Sequence, residues 1–159
     1  MLVDDLQIIY DFAKGGEATE DEVLEQYNRA LSRIEDVEMM NMLRNEEDKL
    51  GAILKINSGA GGTDSMDWAE MLMRMYIRWG ERNGYTTKIL DIQEGEEAGI
   101  KSATIEYEGN LAYGFLKGEN GVHRLVRLSP FNANAKRHTS FASVFVSPSI
   151  DDTIEITIN

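Results

Sequence analysis

The chain has no cysteine, which excludes a disulfide framework, a thiolate metal site and a cysteine nucleophile together. Proline occurs only twice, and no apolar run approaches the roughly 18 residues that a membrane span needs, so collagen-like, disordered and transmembrane classes fall away. Residues 1–10 carry acids in place of the basic flank and apolar stretch of a secretory signal. A cytoplasmic location is expected, with no membrane partner. Histidine is scarce as well: His123 and His138 lie too far apart for ligand spacing and have no obvious carboxylates beside them, so no metal site is expected. No Gly-x-Ser-x-Gly elbow is present, and Glu94, Glu96 and Glu97 fall in a solvated turn pattern. No catalytic residue and no cofactor are predicted.

What is present is a globular chain. A hydrophobic content of 42% over 159 residues supports about one domain with a small appendage. The net charge of −12 is unevenly spread: residues 1–50 hold 5 basic and 14 acidic side chains, the remainder 11 and 14. Residues 121–146 contain Arg124, Arg127, Lys136, Arg137 and both histidines without a single acid. A polyanion would be met there.

The first fifty residues read as helical. Leu6, Ile9 and Phe12 form one short segment that breaks at Gly15 and Gly16. Thr19 and Glu22 have capping-box spacing and open a second helix, whose Val23, Tyr27, Ala30, Ile34 and Val37 alternate by three and four. A plain acidic hairpin packed on its neighbour and a dedicated docking helix both remain open. From Gly51 the period changes: Ala52–Ile56 is a short strand, followed by the glycine loop 59–65 and a helix over 66–82 with Trp68, Leu72, Met75, Tyr76 and Trp79 on one face. Strands are predicted at 85–92, 100–107, 122–128, 139–146 and 153–158, and a short helical turn over 111–118. The expected fold is α+β: an N-terminal helical hairpin, residues 1–48, then residues 49–159 as a mixed, mostly antiparallel sheet packed on one long helix.

A glycine loop between strand and helix invites a phosphate. Its spacing does not support one: Thr63 and Asp64 stand where a P-loop needs lysine and a hydroxyl residue, and the dinucleotide pattern needs glycine at Asp64. The simplest alternative is a tight turn with Asp64 or Ser65 capping the helix. The basic stretch is more informative. Two strands flank a loop carrying Ser129, Pro130 and Phe131, then Asn132 to Ala135, then Lys136, Arg137, His138 and Thr139. Exposed hydroxyls, an imidazole and guanidinium groups match the recognition of unstacked RNA bases, though an ordinary polar hairpin fits the same residues.

These residues resemble the bacterial class I peptide chain release factors, in the branch that decodes UGA and UAA. The resemblance rests on Ser129-Pro130-Phe131, on His138-Thr139-Ser140-Phe141, and on Gly59 to Asp64, Asp67-Trp68-Ala69, Arg74-Met75-Tyr76, Arg78-Trp79, Glu94-Gly95-Glu96, Ala98 to Ser102 and Ala112-Tyr113-Gly114 in the family's order. It is dense over residues 51–159 and weaker before them. The resemblance implies a stop-codon recognition domain whose backbone at Gly61 and Asp64 meets the first base. Ser129, with Pro130 and Phe131, would read the second base as A or G, because a hydroxyl both donates and accepts. His138 would stack between the second and third bases and Thr139 would bond the third. Arg124, Arg127, Lys136 and Arg137 would face ribosomal RNA phosphates. The implied partners are the small-subunit decoding centre and the messenger stop codon, with the helical segment near ribosomal proteins of the GTPase-associated centre.

Two departures stand out. The family usually has Glu at Asp64, and glycines where Asn132 to Ala135 stand here. No Gly-Gly-Gln tripeptide occurs in these 159 residues, so the expected chain is a fragment that recognises a stop codon while peptidyl-tRNA hydrolysis belongs to a domain elsewhere in the factor. A ribosome-binding or rescue paralogue without codon reading, and a protein-interaction module built on the acidic hairpin, are the rival classes.

Overall fold

The computed structural model describes residues 2–16, 19–134 and 136–150. The chain divides into two compact units, Met1–Arg44 and Asn45–Asn159. The first holds α1 (Leu2–Lys14) and α2 (Glu20–Met42). The capping box is formed: the Glu22 backbone N–H donates to Thr19 Oγ1 at 3.4 Å, and Glu22 Oε2 accepts from the Thr19 N–H at 2.9 Å. The bonds from Thr19 hold the Glu22 carboxyl below its ordinary range. Leu6, Tyr10, Val23, Leu24 and Tyr27 line an open apolar groove in this unit, and Ala30 is its buried hydrophobic residue among those described.

The second unit begins four residues before Lys49, ahead of the expected division at residue 48. Asn45–Leu50 is tied into it by Asp48, which is buried and bonded to Lys117 Nζ at 2.6 Å. That bond outweighs burial and lowers the carboxyl below its ordinary value. The N–H groups of Leu111 and Tyr113 add bonds to the carbonyls of Lys49 and Leu50.

Among the described residues the remaining elements are β1 (Gly51–Ser58), α3 (Thr63–Arg82), β2 (Thr86–Glu94), β3 (Ile100–Glu108), α4 (Ala112–Leu116), β4 (Gly121–Leu128) and β5 (Arg137–Ser149), with single 3-10 turns at Glu46–Lys49 and Lys117–Glu119. The five strands form one sheet in the order β2-β3-β1-β5-β4, antiparallel at every pairing. Alternation decides the faces: Ala52, Leu54 and Ile56 of β1, Ala103, Ile105 and Tyr107 of β3, and Ala142, Val144 and Val146 of β5 all point inward. They meet Ala69, Leu72 and Tyr76 of α3, three and four apart on one helical face. Gly80 lets the helix sit down on the sheet, since a Cβ there would lie 2.5 Å from the Thr87 methyl and 2.8 Å from the Tyr107 ring.

This is the α+β fold expected from the sequence, with the described sheet antiparallel throughout where a mixed one was expected. β5 is longer than the predicted 139–146 because it pairs along its length with β1 on one side and β4 on the other. α3 starts at Thr63, not at residue 66: Gly62 adopts φ 59° as its N-cap, and its carbonyl accepts the N–H groups of Ser65 and Met66. Neither Asp64 nor Ser65 caps the helix; Ser65 Oγ instead donates to the Ala60 carbonyl at 3.0 Å. The predicted strand 153–158 lies outside the described residues. Among the described residues no helix is long and apolar enough to cross a membrane.

Candidate nucleic-acid interface

Asp64 lies in the first turn of α3, so its carboxylate sits at the positive end of the helix dipole, at one end of the sheet. The glycines before it bring β5 close. The Gly59 N–H donates to the Phe141 carbonyl at 2.8 Å, and a Cβ on Gly59 would collide with that oxygen at 2.6 Å. Gly61 has φ 141° and leaves room for Ser65 Oγ, which would lie 2.3 Å from a Cβ. The turn between β2 and β3 also presses on the helix start: Gly99, at φ 69°, packs on the Met66–Asp67 peptide.

The loop from β4 to β5 reaches this helix end. Its base is closed by the Ser129 N–H donating to the Lys136 carbonyl at 3.0 Å. Ser129 is 3% exposed. Its hydroxyl donates to Asp64 Oδ2 at 2.6 Å and accepts the Phe131 N–H at 3.2 Å. One turn further along α3, Asp67 Oδ2 accepts from Arg127 Nη2 at 2.6 Å, and the same nitrogen lies 3.4 Å from Asp64 Oδ1. Arg127 Nη1 meets the Met71 sulfur at 3.8 Å, and its Nε is buried without a partner. The two acids of α3 thus hold both the loop serine and the last inward-facing cation of β4.

Inside the loop, Asn132 Oδ1 accepts the Asn134 N–H at 2.9 Å, which turns its amide nitrogen toward His138 Nε2 at 3.1 Å. An amide nitrogen only donates, so Nε2 accepts and carries the lone pair. His138 and Thr139 are consecutive in β5, and alternation sends them to opposite faces. His138 is half-buried on the side of α3; Thr139 is exposed opposite Val126.

The structure therefore brings Gly61, Asp64, Ser129 and His138 to one end of the sheet, with Pro130 and Phe131 exposed beside them. Two placements differ from the sequence reading. Ser129 is buried and bonded, where an exposed hydroxyl was expected. Arg127 is ion-paired with Asp67 and Asp64, where a free phosphate ligand was expected. Arg124, Lys136 and Arg137 are exposed. Asp67 was missed as a site residue; its signal was the spacing of three from Asp64, which puts two carboxylates on one helical face next to an all-basic stretch.

His123 is a packing residue: Nε2 lies 2.9 Å from the Glu119 carbonyl, and the Trp68 indole donates to the His123 carbonyl at 3.0 Å. Nearby, Tyr76 donates to Glu119 at 2.7 Å; burial and then that carboxylate push the phenol well above its ordinary value. Among the described residues no group of three histidines or acids is arranged to hold a metal.

The chain is 50% identical to the peptide chain release factor 2 of Nitratiruptor sp. over 98% of its length and 43% of the relative's. It is 60% identical to that of Helicobacter pylori over 79% of its length and 35% of the relative's. RF2 of Thermus thermophilus superposes with a TM-score of 0.80 at 42% identity, covering 99% of this chain and 45% of that one. The chain thus spans less than half the length of these relatives. A family profile described as the PCRF domain matches residues 3–144, a range that includes Asp64, Asp67, Ser129 and His138, and the chain belongs to that family of peptide chain release factors.

Proposed function

We propose that this chain carries the stop-codon-reading part of a factor that terminates translation on the ribosome, in the cytoplasm, with UGA and UAA as its codons. Residues 49–159 are the decoding domain, and residues 1–48 the distal part of a helical domain that faces ribosomal proteins near the GTPase-associated centre. The observation that carries the reading is the Ser129–Asp64 bond. It joins the two stretches, 59–64 and 129–139, that the family resemblance assigns to successive bases.

The first base meets the exposed backbone at Gly61 and the start of α3. The second is read by Ser129. Its proton is held by Asp64 in the free chain, so reading requires the loop to lift and exchange that acceptor for the codon. Released, the hydroxyl donates to a guanine carbonyl or accepts from an adenine amino group, which accommodates both purines. His138 leaves Asn132 to stack between the second and third bases, an interaction worth about 1–3 kcal/mol per base, and Thr139 bonds the third. Arg124, Lys136 and Arg137 meet ribosomal RNA phosphates, while Arg127 keeps the loop base on α3. Peptidyl-tRNA hydrolysis is left to a Gly-Gly-Gln loop elsewhere in the complete factor.

The test is competition against a complete release factor on ribosomes halted at UGA, UAA, UAG and UGG, scored as inhibition of peptide release. Selective inhibition at UGA and UAA, lost in Thr139→Ala and Ser129→Ala, is expected. Equal inhibition at all four codons would establish a ribosome-binding paralogue without codon reading.

A further inference from the structure

Away from the decoding loop, the solvent side of α3 carries a second cationic surface. Met71, Arg74, Met75, Arg78, Trp79 and Arg82 line an open groove of about 510 Å³. The three arginines recur every four residues, which spaces their attachment points by about 6 Å along the helix axis. All three are exposed. Arg74 faces Glu70 only at 4.0 Å, with its side chain 58% exposed. Arg78 and Arg82 have no ion-pair partner among the described residues. Arg82 in the last turn complements the helix dipole, but that effect dies within a turn and does not account for Arg74 or Arg78. In a chain of net charge −12, a groove lined by three guanidinium groups and no acid is a concentrated positive site.

We propose that this groove binds the phosphate backbone of RNA, as a contact separate from the decoding loop. Guanidinium groups suit the task because each offers a planar fork that bonds two phosphate oxygens, and a row of them follows a row of phosphates. Met71, Met75 and Trp79 supply an apolar floor on which the arginine stems and the sugars pack. The contact is blind to sequence, so it adds affinity and register but no codon preference. The choice of RNA rests on the ribosomal reading above, and the test is independent of codon selectivity.

The 159-residue chain is titrated with a labelled single-stranded RNA of mixed sequence between about 50 and 200 mM salt. The triple variant Arg74→Glu, Arg78→Glu, Arg82→Glu is expected to bind at least about tenfold more weakly, and its slope of log affinity against log salt to fall by about 2, as three lost phosphate contacts on a single strand require. The triple arginine-to-lysine variant keeps the charge and is expected to keep the slope. The proposal is overturned by an unchanged slope in the glutamate variant, or by an equal loss in the lysine variant. It is also overturned if a polyglutamate peptide binds the groove more tightly than the RNA does, which would make the partner an acidic protein.

Discussion

Removing the Ser129–Asp64 bond has a cost that can be worked from its geometry. The hydroxyl is buried, the acceptor is a nearly buried carboxylate, and the oxygens are 2.6 Å apart. A hydrogen bond to a charged group of this kind contributes about 1.5–3 kcal/mol. Ser129→Ala also strips the Phe131 N–H of its acceptor, while Asp64→Ala leaves the serine hydroxyl without one and Arg127 with Asp67 alone. Each single variant should therefore lose about 2–3 kcal/mol. Because both remove the same bond, the double variant should lose less than their sum, with a coupling of about 2 kcal/mol. Trp68 and Trp79 both lie on α3, so tryptophan fluorescence in a urea titration reports the second unit. With a slope of about 2 kcal/mol per molar, each single variant moves the midpoint down by about 1–1.5 M. A coupling below about 0.5 kcal/mol would refute the claim that these two side chains hold the loop to the helix.

Gly99→Ala should be costly, since a Cβ would lie 2.1 Å from the Met66 carbonyl carbon in a left-handed backbone with φ 69°; a loss of at least about 2 kcal/mol in the same titration is expected. Stability should fall steeply at alkaline pH, because burial raises the phenols of Tyr76 and Tyr107 above their ordinary value of 10.0. Their contribution is fully present below pH 10 and lost above it, as the unfolded chain releases protons that the folded chain retains. The expected slope approaches about 1.4 kcal/mol per pH unit for each tyrosine, and Tyr76→Phe should remove one share of it.

The sequence by itself determined most element types among the described residues and the Leu72–Tyr76 part of the packing face of α3, but not Met75, Tyr27, Ile34 or Val37, which fall on the apolar stripes and lie exposed. The alternation in 52–56 and 139–146, the Thr19–Glu22 box and the glycine loop are local patterns, and local backbone preferences are enough to express them. The same holds for the family resemblance, which depends on which residues occur in order and not on how they are arranged. Tertiary structure alone decided how the site is wired. Ser129 and Asp64 are separated by 65 positions, and only the placement of β4 beside β5, at the end of the sheet where α3 begins, puts them in bonding distance. That placement buried a hydroxyl that a polar loop sequence marks as exposed, because a carboxylate waited within reach to compensate its desolvation. It likewise turned Arg127 from a free cation into a clamp, since a guanidinium beside two carboxylates on one helical face pairs with them before it meets solvent. Arg124, an odd number of positions away on the same strand, faces the other side and stays open, which composition has no means of distinguishing and strand alternation does.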